Sequence, residues 1–122
     1  MTQGKYLCVC TDLKLKGWRY LMPFFKLAGP VFEQSRATPG NVKTDRRGNP
    51  LTLRFQTLTV WQDRESMDTF VYGEPHRTAI AKFEEWSAED SRIASWWQDT
   101  PEVTWADALA RAKAAPNYPR RK

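Results

Sequence analysis

Two residues have the types and settings that could do chemistry. His76, the chain's single histidine, lies in VYGEPHRTAIAKFEEW, and Arg54 lies inside LTLRFQTLTVW. An imidazole titrates near neutral pH, so His76 could take or give a proton as a general base or acid. A guanidinium in the middle of a strand either pairs with a carboxylate or steadies a developing oxyanion. Each residue also has a plainer reading. His76 follows a Gly-Glu-Pro break at a helix start, where it could pack beside Phe70 or Ile80 and bond a backbone carbonyl. Arg54 could simply find an acid. Glu84, Glu85, Glu89 and Asp90 flank Trp86 and read as a solvated helix end, unless one of them turns inward to orient His76.

Other chemistries find no support in the spacing. There is no glycine-rich phosphate loop, no Ser-His-Asp arrangement and no carboxylate-rich metal motif. With one histidine and Cys8 and Cys10 as the only cysteines, no transition-metal site and no metal cofactor are expected. Two thiols two residues apart on one strand are poorly placed for a disulfide. They read as buried free thiols of a cytoplasmic protein.

These residues must be held by a chain of 122 residues, enough for one domain. Aromatic residues at 13%, six of them tryptophan, provide for a real core. The net charge of +5 is spread out, apart from Lys43, Arg46 and Arg47 in one turn and the Arg120, Arg121, Lys122 end. No basic stripe is interleaved with exposed aromatics, so no nucleic-acid partner is expected. No run approaches the ~20 apolar residues of a membrane span, no signal peptide is visible, and no membrane partner is expected.

The pattern predicts a strand over Tyr6–Leu13, then an amphipathic helix carrying Trp18, Leu21, Phe25, Ala28 and Phe32 on one face. Gly29-Pro30 should break or kink it. A short strand near 41–46, a turn at Arg47–Pro50 and a long strand Leu51–Trp61 form a hairpin. Asp63 caps a helix over 64–72 that Gly73 ends. Pro75 opens a helix over 75–87 with His76, Ile80 and Phe83 on one stripe. A strand over 91–99 and a helix capped by Thr104 follow, giving one domain over 1–114 and a basic tail over 115–122.

The order β-α-β-β-α-α-β-α is the split β-α-β pattern of a ferredoxin-like α+β fold: an antiparallel sheet with helices on one face. Leu51, Leu53, Phe55 and Trp61 would share one side of the long strand, with Leu58, Val60 and Arg54 on the other. Both sides are apolar, so the second face should be buried as well. The chain supplies no evident cover, and a second copy of the sheet would do it.

From Leu58 onward the stretch LTVWQDRESMDTFVYGEPHRTAIAKFEEW, followed by SWWQDTPEVTWADAL, resembles the dimeric α/β-barrel superfamily. Within it, the resemblance is to the DUF3291-like and antibiotic-biosynthesis-monooxygenase-like proteins. The pattern falls on Trp61, Phe70, His76, Arg77, Trp86, Trp97, Pro101, Trp105 and Ala108, and covers roughly 38–114. The resemblance implies a homodimer with facing sheets and a cavity between each sheet and its helices. It also implies a cofactor-independent monooxygenase, or a related cyclase or isomerase, acting on a small aromatic or polyketide-like molecule. His76 would then be the base, Arg54 the oxyanion partner, and Trp61, Phe70, Trp86 and Trp97 the apolar walls. The alternative is a dimeric ligand-binding or structural protein without chemistry. Haem-degrading relatives carry their axial histidine one helical turn beyond His76, at the position of Ile80, so no haem is expected.

Overall fold

The computed structural model describes residues 4–116. Its elements are β1 (Tyr6–Lys14), a 3-10 turn (Trp18–Tyr20), α1 (Leu21–Ala37), β2 (Asn41–Asn49), β3 (Arg54–Trp61), α2 (Arg64–Tyr72), α3 (His76–Trp86), β4 (Arg92–Gln98) and α4 (Trp105–Ala114). The sheet order is β2-β3-β1-β4, with every neighbouring pair antiparallel. This is the expected ferredoxin-like α+β arrangement. The basic tail expected from residue 115 lies, beyond Pro116, outside the described residues.

The caps follow the sequence closely. Asp63 accepts the Ser66 N–H at 2.7 Å and Thr104 accepts the Asp107 N–H at 3.1 Å, each satisfying an orphan donor of a first helical turn. Pro30 does not break α1, which continues to Ala37. Its ring faces solvent, where the carbonyl it leaves unpaired can meet water.

The hairpin differs from expectation. Pairing runs through Gly48 and Asn49, which oppose Phe55 and Arg54, so the turn falls later, at residues 50–53. The reason lies at Gly48: a Cβ there would collide with the Phe55 ring, which lies across the glycine and closes the gap it leaves. Pro50 then ends the strand, because it has no N–H to give the ladder. Leu51 and Leu53 therefore belong to the turn and not to β3. Leu53 takes a left-handed φ of 61°, unfavourable for leucine. It is compensated by burial against Leu13, Leu15 and Phe24.

Register assigns the sheet faces. Leu7 pairs with Trp61 and Leu13 with Phe55, and this face packs against α1, α2 and α3. On the other face Cys8, Cys10, Leu58, Val60 and Trp96 pack under Ala108 and Ala112 of α4. The chain thus covers the apolar half of its second face with its own last helix, and a partner sheet is not needed there. The sequence left this unseen because a short alanine-rich helix does not announce which surface it seats on. Beside α4 this face keeps a polar cleft of about 370 Å³, lined by Asp12, Arg54, Gln56, Asp90, Arg92 and Lys113 with Leu109, and one of about 430 Å³ along β4, lined by Ala94, Trp96, Arg111 and Ala114.

Candidate functional site

Across the helix side of the sheet, the register sets four rows: Trp61–Leu7–Trp97, Thr59–Val9–Ser95, Thr57–Thr11–Ile93 and Phe55–Leu13. The outer rows are closed by the aromatic clusters, with Trp61 and Leu7 buried at one end and Leu13 at the other. The middle rows are only partly closed: Thr57 and Ser95 are exposed, Val9, Thr11 and Ile93 are half-buried, and Thr59 is buried with its hydroxyl accepting from Trp61. Thr57 belongs to an interior strand and points toward the helices, so its exposure requires solvent between sheet and helices. The result is an open trough with a floor of small polar and branched side chains and aromatic ends, while the clefts of about 430 and 370 Å³ lie elsewhere, around α4.

His76 stands above the Trp61 end. Phe70 stacks on Trp61 at 5.3 Å, and the imidazole lies on Phe70 with ring centroids 4.4 Å apart. The stripe His76, Ile80, Phe83 on α3 faces the sheet, since Phe83 packs against Phe24 in the core. Nδ1 lies 3.0 Å from the Val71 carbonyl oxygen, which can only accept, so Nδ1 carries the proton of the neutral ring. That leaves the Nε2 lone pair bare. Among the described residues Nε2 has no hydrogen-bond partner, and no buried side-chain nitrogen lacks one, so it meets solvent.

Burial pushes the imidazole below its ordinary 6.5, against the smaller opposing pull of the Val71 carbonyl. The ring is neutral at pH 7. Because the chain holds one histidine, its proton NMR titration is free of overlap with other imidazoles, and the expected midpoint lies below 6.5. The unfolded chain protonates near 6.5 and the folded one only at lower pH, so the unfolded state binds more protons in that window. The contribution to stability is therefore full above about 6.5 and is lost as pH falls through the folded midpoint. A midpoint at or above the ordinary value would contradict the burial of this ring.

A residue the sequence did not single out holds this corner. Gln34 of α1 accepts the His76 backbone N–H at 2.8 Å and donates to the Phe70 carbonyl at 3.0 Å. One amide thereby ties α1 to the junction of α2 and α3. Nothing local marks Gln34, because its partners are 36 and 42 residues away. The trough floor left a fainter trace: Thr57 and Thr59 interrupt the apolar side of β3.

Arg54 does not join His76. It lies on the α4 side, at the end of β3 opposite Trp61, where it donates to Asp12 at 2.9 Å and Asp90 at 2.6 Å. Gln56 also donates to Asp12, at 3.1 Å. Burial works against the guanidinium charge, but the two carboxylates outweigh it and hold Arg54 protonated. Its place is structural pairing, and within one chain it cannot steady an oxyanion formed at His76. The proposed walls also divide. Trp61 is fully buried and Phe70 nearly so, as supports beneath His76. Trp97 is half-buried at the same end, and Trp86 stacks with Tyr20 at the far end. Ile80 has no atom that can ligate iron. Among the described residues no group of three or more His, Cys, Asp or Glu could hold a metal ion.

Residues 21–115 match the model of a domain of unknown function, DUF3291. The chain belongs to the DUF3291 family. No curated protein matches it. Among solved structures, this DUF3291 chain is similar to SnoaB, a cofactor-independent oxygenase from Streptomyces nogalater, at 13% identity and a TM-score of 0.62, covering 84% of this chain and 98% of that one. A candidate antibiotic biosynthesis monooxygenase from Nitrosomonas europaea matches at 18% identity and a TM-score of 0.70, covering 84% and 99%. A conserved protein from Methanosarcina mazei Go1 matches at 13% and 0.68, covering 80% and 96%. Identities this low carry the fold and not the reaction. Among the described residues no helix is long and apolar enough to cross a membrane.

Proposed function

We propose that this DUF3291 protein is a cofactor-independent monooxygenase-like enzyme that binds a small aromatic or polyketide-like molecule in the trough, with His76 as its base. The observation that carries this reading is the neutral imidazole: Nδ1 is anchored to Val71, and Nε2, without a hydrogen-bond partner among the described residues, is left to accept a proton beside an aromatic wall. Nε2 takes a proton from an activated methylene or hydroxyl of the substrate. The resulting carbanion is electron-rich enough to react with O₂ directly. For a methylene, one oxygen atom ends in a new carbonyl and the other leaves as water. Thr57, Thr11 and Ser95 offer hydroxyls to a bound phenol or ketone, and Trp97 an apolar surface. Oxygen uptake with candidate quinols and activated methylene compounds, wild type against a His76 variant, tests it.

The second reading is a binding protein without chemistry. It is favoured by one observation, the capture of Arg54 by Asp12 and Asp90, which removes the cation that an oxyanion would want. Ligand binding without oxygen uptake would establish it. For either reading, the free, buried thiols support a reducing cytoplasm.

The homodimer implied by the family resemblance remains part of this proposal, but its contact surface changes. With α4 over the apolar half of the second face, the facing sheets would meet through the polar half around Asp12, Arg54, Gln56 and Arg92. Ion pairs at such a contact are screened by salt. Sedimentation at low ionic strength is expected to give about twice the chain mass of 14.2 kDa, shifting toward the monomer as salt rises. A monomer at low salt would sink the face-to-face barrel.

A further inference from the structure

The largest unexplained feature outside the trough is the outer surface where the chain enters α1. Trp18 is 58% exposed, Met22 64% and Phe25 43%, and they follow one another at helical spacing. Met22 and Phe25 lie one turn apart on α1 with Lys26 next to Phe25, and Trp18 and Arg19 belong to the 3-10 turn that leads into it. Leu51, 81% exposed, sits in the β2–β3 turn whose Leu53 packs against Phe24 of the same helix. Single exposed apolar side chains need no account, but four large ones at one end of the molecule do.

The charge around them is one-sided. From Leu13 to Phe32 the chain has no acidic residue and four basic ones, Lys14, Lys16, Arg19 and Lys26, the last three exposed. The first turn of α1 has no acidic residue either, although that is where a helix most favours one. An apolar strip edged by lysine and arginine is poorly suited to a second copy of itself. In a two-fold contact both strips would bring the same basic rim, with no acidic residue of Leu13–Phe32 to meet it. Trp18, Met22 and Phe25 do not line the polar cleft beside α4.

We propose that this surface, Trp18, Met22 and Phe25 edged by Arg19 and Lys26, seats the protein on an anionic lipid surface. A bilayer interface needs no shape complementarity. It accepts indole and thioether side chains at the headgroup level and attracts basic residues. The contact is peripheral: it fits the lack of a membrane-spanning helix among the described residues and departs from the expectation of no membrane partner. It stands independently of the reaction proposed for His76.

The test is co-sedimentation of the full chain with vesicles of phosphatidylcholine alone and of equal parts phosphatidylcholine and phosphatidylserine, at low and high salt. The wild type is expected to partition at least tenfold better onto the anionic vesicles and to lose this preference as salt rises. Arg19→Gln with Lys26→Gln is expected to weaken that binding roughly thirtyfold, from two basic contacts at the surface. Trp18→Ser with Met22→Ser, at exposed positions that leave the core untouched, is expected to weaken it more than tenfold. Circular dichroism confirms that both variants fold. Absence of wild-type binding to anionic vesicles, or wild-type binding by both variants, would overturn the proposal. So would conversion of a dimer to a monomer by the Trp18 and Met22 changes, which would make the patch a contact between copies.

Discussion

His76→Gln is expected to slow substrate-dependent oxygen uptake by about 10²–10⁴-fold, the usual contribution of a positioned base. Glutamine keeps much of the side chain's size and can still donate to the Val71 carbonyl, so the α2–α3 junction is preserved. It cannot accept a proton near neutral pH. For the wild type, the rate should rise with pH through the titration of the free base, whose midpoint lies below 6.5, and then level off. The variant should show no such step. Equal oxygen uptake by the two proteins would take His76 out of the mechanism and leave the binding-protein reading in its place. The substrate panel is set by chemistry: only molecules with an acidic hydroxyl or methylene next to an extended π system can yield a carbanion reactive enough toward O₂.

Trp61→Ala is expected to act on the fold and not on substrate affinity. The indole is fully buried, its ring stacks on Phe70 and its Nε1 donates to Thr59 at 2.9 Å. Truncating a buried tryptophan typically removes about 3–5 kcal/mol, a large share of the roughly 5–15 kcal/mol that holds a domain of this kind. Urea unfolding should show it as a lower midpoint with an unchanged slope. Trp61→Phe keeps the stacking on Phe70 and loses the bond to Thr59, so its cost should be smaller. A loss below about 1 kcal/mol for the alanine variant would mean that the indole is not the support on which Phe70 and His76 rest.

The fold was readable where local rules carried it. Asp63 and Thr104 announced their helices, the aliphatic centre of 6–13 marked β1, and the element order gave the sheet. The hairpin misled because Gly48-Asn49-Pro50 is a good turn signal, while its true register depends on Phe55 covering Gly48 from the opposite strand. The site was only half readable. His76 stood out as the one histidine, and its partner Phe70 was named from the family pattern. Arg54 was placed on the correct side of β3, but its two acids come from β1 and from the loop before β4, beyond the reach of any local pattern. Gln34 and the threonine floor depend on pairings that exist only once α1 lies on the sheet.

Cys8 and Cys10 point the same way from β1 and are both sealed beneath Ala108 and Ala112. Burial raises each thiol to about 11, so neither forms an appreciable thiolate at neutral pH while α4 is seated. A thiol reagent can consume them only when the helix lifts, and one lifting event unmasks both. The pair is therefore a built-in clock for local opening: the labelling rate counts how often α4 leaves the sheet, independently of whether the rest of the domain ever unfolds.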